Sequence, residues 1–269
     1  MVSRRISELE NHVGVRLFHR TTRELSLTSA GRQYFEFCSH TLQALEHQDE
    51  TLSDMQQEPK GLLRIVAARP FGIHHLGAAV ADFQKSYPEL RIEMELTSGN
   101  LVTTQLVQFG FDLGIGLAPA PKSRIVARRI ADFGFILCAA PDYLKTRGVP
   151  GSLHQLAQHA CLINPRHNPT GTWEFSRHGK RLKQKIPVTL SITNIRALRD
   201  AALHGAGIAL LPSYCVNSDL QEGRLIRVLE RYSMTRGTIF ALYPHFRMIP
   251  AKVKVFTDFT RRRFDGKLG

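Results

Sequence analysis

The feature that most constrains this chain is an alternation of apolar, strand-like runs and amphipathic, helix-like runs that begins at Leu62. The run "LLRIVAA" predicts a buried strand, and "LGAAVADFQKSYP" predicts a helix that Pro88 ends. A second strand in "LRIEMEL", a helix in "NLVTTQLVQFG" and a third strand in "FDLGIGL" follow. Strands that alternate with helices are typical of βαβ units, so this region predicts an α/β fold with a parallel sheet.

A second half repeats the alternation more loosely, from "GFILCAAPDYL" to "GRLIRVLE". It contains a strand in "ACLIN", a basic hairpin around His178-Gly179, a helix in "NIRALRDAALHG" and a strand in "IALLP". At the end of the chain, "TIFALYP" predicts a strand and "PAKVKVFTDFTRRRF" a helix, which can return to the first half. Two α/β halves would hold a cleft between them, where ligands commonly bind.

The first 30 residues have a different character. Val2, Ile6, Leu9 and Val13 share a narrow arc at 3.6 residues per turn, which predicts a helix with one buried stripe that Gly14 ends. Two short strand-like runs follow in "VRLFHRTTRELSLT", around a polar tip that is rich in arginine and threonine. A helix followed by a basic hairpin is typical of a winged helix-turn-helix.

A long helix is predicted next, in "AGRQYFEFCSHTLQALEHQDETLSDMQQ", with Thr28 or Ser29 as its cap. Its surface is entirely polar between Leu45 and Leu52, so we expect it to pack against a partner over part of its length. A second copy of the same helix is the simplest partner. Pro59-Lys60-Gly61 breaks the helix and predicts a domain boundary. The apolar residues along this helix are Phe35, Cys38, Leu42, Leu45, Leu52 and Met55.

Composition narrows the class of protein. The 269 residues exceed what one compact core usually serves, so two domains are expected. The chain carries 36 lysines and arginines against 23 aspartates and glutamates, a net charge of +13. Such an excess favours polyanions, nucleic acid first, although many soluble proteins are simply basic.

The cysteines and the hydropathy pattern predict a cytoplasmic protein. Cys38, Cys138, Cys161 and Cys215 lie far apart and form no C-x-x-C pair, which argues against a zinc ribbon or a disulfide framework. The N-terminus has no apolar region of the signal-peptide type. No apolar run approaches the roughly 18 residues that a bilayer-spanning helix needs, so no membrane partner is expected.

The N-terminal segment "VSRRISELENHVGVRLFHRTTRELSLTSAG" closely resembles the LysR-type transcriptional regulators, from the recognition helix through the wing into the linker helix. "FDLGIG" and "GAGIALLP" resemble two landmarks of that family's effector domain, so the resemblance covers essentially the whole chain. It implies a periplasmic-binding-protein-like (type 2) effector domain of two Rossmann-like subdomains, and a regulator that responds to a small molecule. The N-terminal positions that match are Val2-Ser3, Ile6, Leu9-Glu10, Val13-Gly14-Val15, Leu17-Phe18, Arg20, Arg23, Leu27-Thr28 and Ala30-Gly31.

The expected organisation is a winged-helix remnant, a linker helix and an effector domain, in a homodimer or homotetramer. The expected bounds are 1–30 for the partial winged helix-turn-helix, 31–60 for the linker and dimerisation helix, and 61–269 for the effector domain, with subdomain I at about 61–133 and 238–269 and subdomain II at about 134–237.

The resemblance also predicts a set of DNA-binding residues. Relative to the family, the chain opens inside the recognition helix, so we expect the sequence as written to bind promoter DNA poorly. In readers of this class the N-terminal residues of the recognition helix reach base edges, while the wing holds phosphates. The alternative is a solvated basic face. The predicted DNA-binding residues are Ser3, Arg4, Arg5, Arg20, Thr21, Thr22 and Arg23.

Sheet topology predicts the effector site. Ligands of open α/β sheets lie at the carboxyl ends of strands, beside helix N-termini, and similar positions line the effector site of the family. Arg69, Arg166 and His167 among backbone N–H donors would suit an anion such as a small carboxylate. Ser98 and Asn194 could instead be helix caps. The predicted effector-binding residues are Arg69, Pro70, Phe71, Thr97, Ser98, Gly99, Asn100, Gly116, Asn164, Arg166, His167, Thr193 and Asn194.

Other chemistry has little support in the sequence. The twelve histidines, including His74-His75, have no metal-ligand spacing, and the glycines of "GFDLGIG" do not form a dinucleotide motif, so no metal and no cofactor are expected. No catalytic triad or pair of carboxylates stands out, and Asp112 is predicted to brace a loop, so an enzyme is not expected. The remaining alternative to a DNA-binding regulator is a dimerising small-molecule sensor that does not bind DNA.

Overall fold

A computed structural model describes residues 2–20, 25–39, 41, 58–117, 125–234, 236–245 and 249–268. Within these residues no helix is both long enough and apolar enough to cross a bilayer.

The N-terminal segment forms the predicted helix and hairpin. Helix α1 (Val2–Val13) ends at Gly14, whose φ of 73° only glycine adopts without strain, and whose N–H donates to the Glu10 carbonyl at 2.9 Å. Strands β1 (Phe18–Arg20) and β2 (Leu25–Leu27) pair antiparallel. The tip residues Thr21, Thr22 and Arg23 lie outside the described residues.

Helix α2 covers residues 29–39 of the predicted linker helix. Thr28 caps it, because its Oγ1 accepts from the Gly31 N–H at 2.9 Å and donates to the Arg16 carbonyl at 2.8 Å. The continuation through Leu42, Leu45, Leu52 and Met55 lies outside the described residues.

Two long series of strands and helices follow. The first series comprises β3 (Gly61–Ala68), α3 (an α-turn at Arg69–Phe71, a π-turn at Gly72–Leu76 and an α-helix at Gly77–Ser86), β4 (Leu90–Thr97), a 3-10 turn (Gly99–Leu101), α4 (Val102–Gln108), β5 (Leu113–Gly116) and β6 (Ile125–Phe133).

The second series begins directly after Gly134 and ends with a return to the first sheet. It comprises β7 (Phe135–Ala139), α5 (Pro141–Arg147), a 3-10 turn (His154–Gln158), β8 (Cys161–Ile163), β9 (Thr172–Arg177), β10 (Lys180–Lys185), β11 (Val188–Ser191), α6 (Ile195–Leu203), β12 (Ile208–Pro212), α7 (Ser213–Gln221), β13 (Ile226–Arg227), β14 (Ser233–Met234), β15 (Gly237–Pro244) and α8 (Ala251–Phe264).

These elements form two lobes, each built on a five-stranded sheet. The first lobe has the strand order β4-β3-β5-β15-β6, and the second has β11-β8-β12-β7-β13. The two orders correspond: three parallel strands, then an antiparallel strand, then an edge strand. In both sheets the antiparallel strand is the first strand of that sheet after the chain has crossed from the other lobe. A further small sheet, β10-β9-β14, covers part of the second lobe.

The sheets are therefore mixed, whereas the sequence predicted parallel strands. The prediction is right for the three strands joined by βαβ connections, such as β3 and β4, whose Ile65 lies opposite Met94. Strands β15 and β7, for which the sequence predicted no direction, are antiparallel, because a strand that enters from the other lobe is not bound by the crossover rule for parallel strands. Strand β6, helix α7 and the start of α3 at Arg69 were also not predicted.

Both sheets carry apolar packing on both faces. The largest core joins α3 and α8 to the first sheet, where Phe83 and Phe256 are fully buried and their rings lie 4.9 Å apart. The opposite face packs α4 through Val102 and Leu106. In the second lobe, α6 and α7 cover one face, while α5 and the small sheet cover the other.

Asp112 braces the entry to β5, as predicted. Its Oδ2 accepts from the Arg64 N–H at 2.7 Å, and its Oδ1 lies 3.5 Å from the buried ammonium of Lys252. That ammonium also donates to the Leu62 carbonyl at 2.6 Å. The carboxylate thus connects β3, β5 and α8 away from any cavity described below.

Candidate functional site

A cleft with a volume of about 190 Å³ lies between the two lobes. From the first lobe, the carboxyl ends of β3, β4 and β5 and the start of α3 form its wall. From the second lobe, the segments after β8 and β11 and the N-terminus of α6 form the opposite wall. This is the edge at which open α/β sheets bind ligands.

Ten of the predicted effector-binding residues line this cleft. They come from both lobes, so the structure brings together segments that are about 100 residues apart in sequence. The ten residues are Arg69, Pro70, Ser98, Gly99, Asn100, Asn164, Arg166, His167, Thr193 and Asn194.

Three predicted residues do not line the cleft. Phe71 is fully buried in the core, with its ring edge-on to Tyr214 and Phe264 at 5.7 and 5.2 Å, because burial of an aromatic side chain is strongly favourable. Thr97 is buried at the end of β4, and the next residue takes the cleft position because side chains alternate along a strand. Gly116 faces α4, where a Cβ would lie 3.1 Å from a methyl group of Val102.

Five lining residues were missed by sequence reasoning: Ile73, His74, Leu117, Ile195 and Arg196. Ile73 and His74 belong to the π-turn of α3, which changes the direction of side chains relative to a regular helix. Arg196 follows the predicted Thr193-Asn194 pair, so extending that prediction into the first turn of α6 would have found it.

The arginines connect the walls of the cleft. Arg166 Nη1 of the second lobe donates to Ser98 Oγ of the first lobe at 2.9 Å. Arg69 Nη2 donates to the carbonyl of Leu96 at 3.2 Å, which holds this guanidinium beside the end of β4. Both arginines remain solvent-exposed, so their remaining N–H groups are accessible to a ligand.

The asparagines shape the second wall. Asn164 is buried, its Oδ1 accepts from the Arg166 N–H at 3.0 Å, and its Nδ2 donates to the Thr193 carbonyl at 2.9 Å. Asn194 is the N-cap of α6, because its Oδ1 accepts from the N–H groups of Arg196 and Ala197 at 2.9 and 3.2 Å. Asn194 thus both caps α6 and lines the cleft, whereas Ser98 makes no side-chain cap and its hydroxyl accepts from Arg166.

Among the described residues, the ionisable side chains that line the cleft are all basic. Three arginines and two histidines line it, and no aspartate or glutamate is among its described lining residues. Burial, followed by the positive charges of His75, Arg199 and Arg196, lowers the pKa of His74 below its usual value of 6.5. Partial burial and then Arg166 lower the pKa of His167. Both pKa shifts have the same direction, since burial and neighbouring positive charges disfavour the charged form of an imidazole.

The two lobes also meet outside the cleft. Ser213 N–H donates to the Gly134 carbonyl at 2.8 Å, and Ser213 Oγ donates to the Leu268 carbonyl. His75 Nε2 lies 3.1 Å from the Tyr214 carbonyl, and Tyr214 packs edge-on against Phe133 at 5.0 Å. These contacts join the start of α7 in the second lobe to Gly134, α3, β6 and Leu268 near the C-terminus.

The predicted DNA-binding residues lie in and after α1. Arg5 is exposed on that helix. Ser3 and Arg4 lie in its first turn and Arg20 ends β1, but their side chains are outside the described part of the chain, as are Thr21, Thr22 and Arg23. Among described residues, no group of three or more histidine, cysteine, aspartate or glutamate side chains could hold a metal ion.

Comparison with known proteins identifies the family. Residues 56–265 match the LysR substrate binding domain, and residues 1–32 match the bacterial regulatory helix-turn-helix protein, lysR family. The chain belongs to the LysR-type transcriptional regulators. Proteins of this family bind DNA and a small-molecule effector and form oligomers. The chain is thus a LysR-type transcriptional regulator, with a helix-turn-helix segment and an effector-binding domain of the type 2 periplasmic-binding-protein-like fold.

Individual LysR-type regulators resemble it over nearly its whole length. The transcriptional regulator DmlR of Escherichia coli is 32% identical over 264 residues, which cover 98% of this chain and 85% of DmlR. The full-length structure of CrgA of Neisseria meningitidis is similar with a TM-score of 0.69 and 30% identity, over 97% of this chain and 88% of CrgA. The full-length structure of the virulence activator AphB of Vibrio cholerae has a TM-score of 0.69 and 28% identity, over 96% and 88%.

Proposed function

We propose that the effector of this LysR-type regulator is an organic anion that binds in the cleft between the two lobes. The observation that carries this proposal is the lining: three arginines and two histidines, with no carboxylate among the described lining residues. A carboxylate or phosphate placed there accepts charge-assisted hydrogen bonds from guanidinium groups of both lobes.

The Arg166–Ser98 contact supplies a way for binding to change the arrangement of the lobes. Arg166 Nη1 donates across the cleft to the Ser98 hydroxyl. An anion held by Arg69 on one wall and by Arg166 and Arg196 on the other adds attraction across the same gap. It therefore favours closed lobes, and a ligand shifts a two-state equilibrium by its difference in affinity for the two states.

We infer that closure of the lobes affects DNA binding through the arrangement of subunits in the oligomer. We infer a homodimer or homotetramer in which α2 is a contact, since Phe35 and Phe37 are 60% and 67% exposed on that helix. A change in lobe closure alters the spacing of paired helix-turn-helix segments on promoter DNA. We place the domain limits of this arrangement near residues 30 and 60, with lobe crossings near residues 134 and 237.

Isothermal titration calorimetry with carboxylates, phosphates and matched neutral amides tests the effector class. We expect binding by carboxylates or phosphates only, and a roughly tenfold to hundredfold loss in Arg166→Gln, because a hydrogen bond to a charged group contributes about 1.5–3 kcal/mol. Arg181→Gln is the matched control, since Arg181 is exposed on β10 and the net-charge change is the same. Preference for neutral or cationic ligands, or equal affinity in both variants, would refute the proposal.

DNA binding by the sequence as written remains a prediction. Ile6, Leu9 and Val13, three residues of the apolar stripe of α1, are only partly buried. In fluorescence anisotropy we expect weak binding, equal on the protein's own upstream DNA and on a scrambled duplex, and lost as salt rises. Tight, sequence-selective binding would show that α1 docks as a functional recognition helix. The predicted contact residues Ser3, Arg4, Arg5, Arg20, Thr21, Thr22 and Arg23 are proposed on the family resemblance alone.

A further inference from the structure

A second cavity, here called the chamber, opens beside the cleft inside the second lobe. It lies between the lobe's main sheet and the small sheet β10-β9-β14 and has a volume of about 380 Å³, twice that of the cleft. Asn164, His167 and Ile195 line both cavities, so the two spaces share a wall.

The chamber differs from the cleft in chemistry. Eight of its fourteen described lining residues have apolar side chains, against four of fifteen in the cleft, and neither arginine nor lysine is among the fourteen. The one carboxylate, Glu174, lies 3.0 Å from the ammonium of Lys183 and has a half-exposed side chain. The apolar lining residues are Phe135, Leu162, Ile163, Pro169, Trp173, Ile195, Leu210 and Met234.

Hydrogen bonds fix the conformation of the wall that the two cavities share. Asn164 holds the turn that follows β8, since its carbonyl accepts from the N–H groups of His167 and Asn168 at 3.0 and 2.8 Å. Asn168 then closes the next loop, with its Oδ1 accepting from the Thr172 N–H at 3.1 Å and its Nδ2 donating to the Thr172 carbonyl at 3.0 Å. These hydrogen bonds fix the conformation of residues 164–172, a segment that lines the chamber beside the cleft.

We propose that the chamber is a binding subsite for the apolar part of the effector, which is therefore an amphipathic anion with an aryl or alkyl body rather than a small dicarboxylate. This inference rests on the proposed function of the cleft. The charged head meets Arg69, Arg166 and Arg196, while the body passes Asn164 and Ile195 into the chamber. The cleft alone is smaller than the roughly 300–1,000 Å³ of common ligand pockets, whereas the chamber falls within that range.

The chain carries its own reporter for this subsite. Trp173 is the one tryptophan of the sequence, lines the chamber and is 1% exposed. A ligand that occupies only the cleft leaves the surroundings of this indole unchanged. A ligand whose body enters the chamber lies against the wall that contains this buried indole, alters the packing and polarity around it and so changes its emission.

The test uses the full chain and a series of carboxylates with one head and a growing body: benzoate, phenylacetate, 3-phenylpropanoate and 4-phenylbutanoate, with succinate as the short dianion. We expect about fourfold tighter binding for each added methylene, as burial of a methylene predicts, together with a growing change in Trp173 emission. Succinate should change the emission least.

Two variants fill the chamber from opposite walls, Leu210→Phe on β12 and Met234→Phe on β14, so a folding failure of one leaves the other. Both should remove the gain with body length and leave the binding of succinate, which has no aryl body, unchanged. Val149→Phe is the control, because Val149 is 64% exposed and is not among the residues that line the chamber. Circular dichroism confirms that each variant is folded.

The outcomes separate the two proposals. If all members bind equally and Trp173 emission stays constant, or if both filled variants keep the gain with length, the chamber is not a subsite and the anion site in the cleft stands. If no carboxylate of any length binds, the chamber proposal fails, and the proposed function fails with it unless the phosphates of the calorimetry series bind.

Discussion

The two lobes share a strand order but differ in how completely they are filled. In the first lobe, long strands such as β3 and β4 carry a continuous core of α3 and α8, with Leu63, Phe83 and Phe256 fully buried. In the second lobe, the strands are shorter and a separate small sheet covers part of one face, which leaves the chamber between two sheets. The same topology therefore gives a packed scaffold on one side and a cavity-bearing lobe on the other.

This difference assigns separate roles to the lobes. Interiors are normally packed to crystal-like density, so a large cavity lined by apolar groups is a departure that function commonly explains. The first lobe offers a fixed wall with Arg69 and Ser98, while the second offers Arg166, Arg196 and the chamber. The variants below test whether the packing of the lobes differs as described.

The largest expected effect concerns the buried carboxylate of each lobe. Asp219 is fully buried and accepts from Arg199 Nε and Nη2 at 2.5 and 2.6 Å and from Arg224 Nη2 at 2.7 Å. Asp112 is its counterpart in the first lobe, beside Lys252. Removing one partner of a buried ion pair costs about 3–5 kcal/mol, so Asp219→Ala and Asp112→Ala should each lower the free energy of unfolding by that amount.

Urea denaturation measures both variants. Circular dichroism follows the whole protein, and Trp173 fluorescence follows the second lobe. Glu95→Ala, at an exposed position of β4, is the control and should stay within about 0.5 kcal/mol of the unmodified protein. A change below about 1 kcal/mol in either aspartate variant would contradict the stabilising role of that ion pair.

A smaller effect tests the packing difference directly. Leu63→Ala removes a fully buried side chain of the first sheet and should cost about 2–5 kcal/mol, because it creates a new cavity. Leu210→Ala enlarges an existing cavity at a half-buried position and should cost roughly 1–2 kcal/mol. Equal losses in the two variants would show that the chamber is filled by the surrounding side chains in solution.

The third effect is a dependence of stability on pH. Burial lowers the pKa of His74, His75 and His159, so the folded state disfavours their charged forms. Between the lowered pKa values and 6.5 the unfolded chain binds more protons, and stability there rises with pH. The free energy of unfolding should therefore fall as the pH drops below about 6.5, the ordinary value for histidine.

Ligand affinity should depend on pH in the opposite sense to stability, through the two histidines that line the cleft. An anion beside His74 and His167 stabilises the imidazolium forms, so its affinity should increase as the pH falls below 6.5 while the anion itself remains ionised. Titration calorimetry at a series of pH values between about 5.5 and 8 measures the change in affinity together with proton uptake on binding. An affinity that is flat over this range would mean that neither histidine faces the bound anion.

Much of the fold was readable from the sequence because the signals are local. Apolar periodicity predicted most strands and helices. Gly14 marked the C-terminal end of α1, and Thr28 and Asn194 marked the starts of α2 and α6. The elements that were missed, β6 and α7, carry weaker patterns: β6 has a run of exposed residues along an edge of the sheet.

The residues that line the cleft could be predicted in part from the sequence, because of the sheet topology. The carboxyl ends of successive parallel strands meet at one edge, so the sequence determined ten of the residues that line the cleft, among them Arg69, Ser98 and Arg166. The tertiary structure alone decided that Phe71 turns into the core and that the π-turn of α3 directs His74 to the cleft. It alone also decided that two sheets of the second lobe leave the chamber between them, because the distance between packed sheets depends on contacts far apart along the chain.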